Sequence, residues 1–74
     1  MEVQVKLFAT LREGRFRSKE IDVPEGSTAG DVLRELGIGP QEVAILIVNG
    51  QSVTAERPLR GGDAMSLFPA VAGG

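Results

Sequence analysis

The chain has no cysteine, no histidine, no tryptophan and no tyrosine, and its only aromatic side chains are three phenylalanines. Each absence removes a class of chemistry. Without cysteine there is no disulfide framework, no thiolate metal site and no thiol nucleophile. Without histidine there is no Ser-His-Asp triad, no imidazole acid or base, and no ordinary zinc ligand set. A surplus of one charge sign is also missing. Eight Lys and Arg stand against 10 Asp and Glu, a formal net charge of −2, which argues against a nucleic-acid partner. No apolar run approaches the roughly 20 residues of a membrane span, so no membrane partner is expected. The first residues are charged and alternating rather than basic and then apolar. No signal peptide is expected, and the expected location is cytoplasmic.

What is present suits one small domain of 74 residues. A domain near this size buries only about 60% of its unfolded surface, so without disulfides its core must pack well. A hydrophobic content of 42% makes that feasible. Val3, Val5 and Leu7 alternate with Glu2, Gln4 and Lys6, the period of a half-buried strand, and put Phe8 on the opposite face from Leu7. Leu11 to Arg17 reads as a turn. Lys19 to Val23 alternates again and completes an N-terminal hairpin. After Pro24-Glu25-Gly26, Ser27 and Thr28 are candidate helix caps, with Asp31 placed to favour the helix dipole. Ala29, Val32, Leu33 and Leu36 then share one helical face, and Gly37 is a natural stop, predicting a helix over Thr28–Leu36.

Val43 to Val48 is a run of six apolar residues, read as a central strand. Asn49-Gly50 is the strongest short-range hairpin signal in the sequence, with Gln51 to Thr54 as the return strand. Ala64 to Phe68 makes the last strand, with Met65 and Leu67 on one face and Phe68 on the other. Pro69 is expected to end its pairing. The order ββαβ(β)β predicts an α+β fold, with a mixed sheet of four to five strands and one main helix on one face. By fold-level analogy the compact solution is a β-grasp, with the first and last strands parallel at the centre. Residues 1–68 then form the domain and 69–74 an extended, flexible tail.

No motif here supplies catalysis. The segment Gly26-Ser27-Thr28-Ala29-Gly30-Asp31 lacks the spacing and lysine of a phosphate-binding loop and reads as a capped helix start. Gly61-Gly62-Asp63 reads as a tight turn. Arg12, Arg15, Arg17 and Lys19 cluster around the first hairpin, as a solvated turn or a patch that orients a partner. No carboxylate pair stands out as an acid/base dyad, and no metal site is expected. The apolar run is different. One helix covers one sheet face, so either Val43, Ile45 and Ile47, or Ala44, Leu46 and Val48, face outward. If the first and last strands are neighbours, Phe8 and Phe68 lie together on that open face as well. Either loops cover this apolar patch or it marks a binding surface, and a partner interface is the favoured reading.

The ending, Pro69-Ala70-Val71-Ala72-Gly73-Gly74, carries the most information. Glycine is 10 of 74 residues, and at that usage two fall together at an end by chance in only about 2% of proteins. A Gly-Gly end has no Cβ and fits a narrow tunnel, and its α-carboxylate is unhindered. A free carboxylate is a poor electrophile, so an enzyme has to activate it, for instance as an acyl adenylate. Such a tail is a carried substrate.

Val5-Lys6-Leu7-Phe8-Ala9-Thr10-Leu11-Arg12-Glu13, Val48-Asn49-Gly50 and Gly62 through Gly74 resemble the MoaD/ThiS family of ubiquitin-like sulfur carriers along the whole chain. The Phe-Pro-x-Val-x-Gly-Gly ending is most similar to the MoaD branch. The resemblance implies that a ubiquitin-activating-type enzyme uses ATP to adenylate Gly74 and that a sulfur donor enzyme then supplies a thiocarboxylate. Val71, Ala72, Gly73 and Gly74 would enter the active site of the large subunit of molybdopterin synthase, with Phe8, Phe68, Pro69 and Val71 at the partner interface. The protein itself would bind no cofactor and would serve as a non-catalytic subunit. Ala70 departs from the pattern, standing where a second proline is common. Relatives with this ending also imply thiamine or tRNA thiolation, or protein conjugation, as alternatives.

Overall fold

The alternation at the start of the chain becomes β1 (Glu2–Leu7), whose residues are exposed and buried in turn. Val3, Val5 and Leu7 are at most 2% exposed. The computed structural model describes residues 1–70, so the expectations placed on Val71, Ala72, Gly73 and Gly74 lie outside the described residues. β2 (Ser18–Asp22) pairs antiparallel with β1, from Glu2 opposite Asp22 to Lys6 opposite Ser18. The remaining elements are α1 (Ala29–Glu35), β3 (Val43–Val48), β4 (Gln51–Ser52) and β5 (Ala64–Pro69). The sheet order is β2-β1-β5-β3-β4, with β1 and β5 parallel and the other pairs antiparallel. With α1 against one face, this is the expected β-grasp.

The segment read as a turn holds more structure than expected. Ala9–Arg12 is a 3-10 turn, and it pushes Leu11 into the core at 2% exposure. A single turn is too short to show a period, so no pattern in the residues marks it. Nor is Arg15 simply a solvated charge. Its guanidinium donates to the Leu11 carbonyl at 3.1 Å and to the Gly37 carbonyl at 3.3 Å, where the C-terminal end of α1 favours a cation.

α1 forms where the caps predicted it. Thr28 is the N-cap: its Oγ1 accepts from the Asp31 N–H at 3.3 Å, and the Asp31 carboxylate accepts from the Thr28 N–H at 2.9 Å. This is a reciprocal capping box that satisfies two otherwise unpaired donors. Ser27 turns back instead, donating to the Pro24 carbonyl at 2.7 Å. At the other end Gly37 adopts φ +71°, the Ile38 N–H reaches the Leu33 carbonyl at 2.9 Å, and the Gly37 N–H reaches that of Arg34 at 3.1 Å. That is a Schellman stop, and it requires the left-handed conformation glycine adopts freely. Ala29, Val32 and Leu33 are buried against the sheet, and Leu36 packs at the edge of the core.

β3 is not the centre of the sheet. That place belongs to β5, and beyond β3 lies only the two-residue β4, shorter than the expected Gln51–Thr54. A run of six apolar residues signals burial, and burial alone does not distinguish a central strand from its neighbour. Asn49 and Gly50 do make the tight hairpin, with φ of +51° and +82°. The ladder between β3 and β5 is irregular between Val43 and Ile45, a bulge at Ala44. It changes the phase of the strand. Leu46 and Val48 face α1, at 8% and 0% exposure, and Val43 also packs against the core. Of the two outward sets left open by the sequence, Ile45 and Ile47 are therefore the outward pair, and Val43 leaves its set. β5 runs one residue past the expected stop. Pro69 lies opposite Val43, and the Ala70 N–H donates to the Glu42 carbonyl at 3.2 Å. Proline donates nothing to a ladder, and here it is accommodated where β5 ends beside the β3 bulge.

Candidate partner interface

Phe68 follows the core residue Leu67 on β5, so it points away from α1. In the parallel register Leu7 lies opposite Leu67, and the Phe8 N–H donates to the Leu67 carbonyl at 3.1 Å. The next residue on each strand is a phenylalanine. Their rings stack with centroids 4.3 Å apart and planes 12° from parallel. Ile45 lies opposite Phe68 on the other side, and at 47% exposure it is the exposed large hydrophobic among the described residues. Phe8, Phe68 and Ile45 thus form a row across three strands, with Ile47 one step behind, opposite Ser66.

Immediately after Phe8 the backbone leaves the sheet. Ala9 sits at φ +51°, a left-handed conformation that costs a non-glycine residue about 1–2 kcal/mol. That turn starts the 3-10 segment and leaves Phe8 on the open face while Leu11 goes inward. No local signal in the sequence marked it. The rest of the open face is polar: Glu2, Gln4 and Lys6 of β1 are exposed, as are Ser18 and Glu20 of β2. The apolar part lies at the end where β5 terminates. Beside Pro69 and Ala70 is an open groove of about 380 Å³ lined by Thr10, Leu11, Glu13, Arg15 and Glu42. The structure therefore brings Phe8, Phe68 and Pro69 to one end of the sheet, adds Ile45, and places the expected role of Val71 outside the described residues.

The perturbed carboxyls lie elsewhere. Asp31 is held below its ordinary value first by the Thr28 N–H, with Arg34 adding to it. Asp63 is held down first by the Arg60 N–H, then by the Asn49 amide and Arg57. Both hold turns and caps. Among the described residues no group of three or more His, Cys, Asp or Glu could hold a metal ion, and no helix is long and apolar enough to cross a membrane.

A five-stranded mixed sheet with parallel central strands and one helix defines a ubiquitin-like β-grasp protein. The ThiS family model matches residues 5–74, and the chain belongs to that family. Its fold is similar to SAMP1 from Haloferax volcanii, with 29% identity over 100% of both chains and a TM-score of 0.77. A Pyrococcus furiosus protein provisionally assigned as molybdopterin converting factor subunit 1 is 29% identical over 96% of this chain and 99% of its own, with a TM-score of 0.77. A chain from the complex of subunits 1 and 2 of molybdopterin-converting factor from Helicobacter pylori is 26% identical over 100% of both, with a TM-score of 0.61. The protein thus has the fold of the ThiS/MoaD ubiquitin-like sulfur carriers.

Proposed function

We propose that the protein is a sulfur carrier for molybdopterin synthesis, acting as the small subunit of the synthase. The observation that carries this reading is the family match running through Gly74. The apolar row of Phe8, Phe68 and Ile45 supports it, because it lies beside the root of the segment that would be threaded into a partner. An ATP-dependent activating enzyme would convert the Gly74 carboxylate to an acyl adenylate, releasing pyrophosphate. A persulfide on a sulfur donor enzyme would then displace AMP, and a second thiol would cleave the resulting acyl disulfide, leaving the thiocarboxylate on Gly74 and a disulfide on the donor side. That tail would deliver sulfur inside the large subunit, with Val71, Ala72 and Gly73 passing with Gly74 through the narrow approach. The likeness to a subunit 1 from a subunit 1–subunit 2 complex supports a partner of the large-subunit kind.

The test is to incubate the protein with ATP, an activating enzyme, a persulfide donor and a thiol reductant and to record its intact mass. Oxygen-to-sulfur exchange at Gly74 is expected, and its absence overturns the reading. A second reading, a protein modifier, is favoured by the likeness to SAMP1, a small archaeal modifier protein. It predicts an isopeptide between Gly74 and target lysines, sought as Gly-Gly remnants in cellular digests. Loading without remnants favours the carrier.

A further inference from the structure

Asn49 is the only asparagine in the protein, and glycine follows it. Asparagine is the thermolabile amide, and a following glycine leaves the attacking backbone nitrogen unhindered. In this fold the Asn49 amide group is tied from the hairpin turn to the start of β5. Its Nδ2 donates to Asp63 Oδ1 at 2.9 Å, and its Oδ1 accepts from the Ala64 N–H at 2.9 Å. The Asn49 N–H donates to the Ala64 carbonyl at 2.8 Å. Asp63 is itself held by the Arg60 N–H at 2.8 Å and lies 3.6 Å from Arg57.

We propose that Asn49 is a fold-gated deamidation site, closed by its hydrogen bonds to Asp63 and Ala64. When these bonds open, the Gly50 nitrogen attacks the Asn49 Cγ. A bond forms between that nitrogen and Cγ, the Cγ–Nδ2 bond breaks, and ammonia leaves with the displaced proton. Water then opens the succinimide to aspartate or isoaspartate. Either product loses the Nδ2 donor and sets a second carboxylate against Asp63, a like-charge contact. Isoaspartate also adds a backbone methylene to a two-residue turn whose length sets strand register. The damage falls in the turn that is hydrogen-bonded to Ala64, the first residue of β5.

The experiment follows amide-to-acid exchange at Asn49 by peptide mass in the full-length protein at mildly alkaline pH. One sample is folded and one is unfolded in urea. The folded protein is expected to react at least about tenfold more slowly, the ratio reporting the free energy of opening. Equal rates overturn the proposal. Asp63→Ala with its fold retained is expected to speed the reaction severalfold, and an unchanged rate overturns the gate. If that variant unfolds, a series of sub-denaturing urea concentrations decides instead. A rate that rises before global unfolding supports a local gate, and one that tracks only global unfolding overturns it.

Discussion

Leu67 and Phe68 are adjacent on β5, yet they belong to different surfaces. Leu67 is fully buried among Val5, Leu7, Met65 and the residues of α1. Phe68 is half-buried: its ring stacks on Phe8, and Ile45 lies opposite it on β3. The inner face is aliphatic and closed by a helix, so its residues contribute to the fold. The outer face carries the half-buried aromatic pair and the exposed Ile45, left partly open among the described residues. Apolar surface of that kind in a small domain contributes to association. One residue of strand separates the two roles.

The comparison can be broken first from the inside. Leu67→Ala should destabilise the protein by about 2–5 kcal/mol, read as a shift in urea midpoint, with partner affinity per folded molecule unchanged. A next-largest effect is expected on the outside. Phe68→Asp should weaken partner binding by about 2 kcal/mol or more, as for a central interface aromatic, measured by calorimetry. It should cost the fold only about 1 kcal/mol, the worth of the lost stack. Unfolding of this variant would show Phe68 to be core. Thr28→Ala tests the helix that makes the inner face. Losing the cap should cost about 1 kcal/mol of stability and leave binding intact.

The smallest effect is electrostatic. Asp31 and Asp63 both have folded values below the ordinary 3.8. The unfolded chain therefore takes up their protons first, and the stability they give is present above 3.8 and lost as pH falls through the folded values. The contribution of these two groups to the urea midpoint should hold from neutral pH down to about 3.8 and fall away below it, and Asp63→Asn should flatten that fall. An unchanged slope would mean that Asp63 does not couple protons to folding.

Much of the inner face was readable because regular periods leave a trace. β1 alternates, α1 has both caps, and Asn49-Gly50 dictates its turn. Irregular backbone left none. The left-handed Ala9 and the 3-10 turn that buries Leu11 occupy too few residues to repeat, and the bulge at Ala44 shifts phase without changing composition. The candidate site was legible in Phe8 and Phe68, whose off-phase positions follow from alternation once the first and last strands are parallel. Ile45 was not separable from Leu46 by parity, because the bulge decides between them.

The parallel pairing of β1 and β5 has one more consequence. A pull on the chain's end would reach the domain through β5, which is bonded on one side to β1 and on the other to β3. The two ladders are loaded in shear, so their hydrogen bonds must yield together rather than peel one at a time. The residues by which partners would draw on this protein follow in sequence the strand best placed to resist the draw.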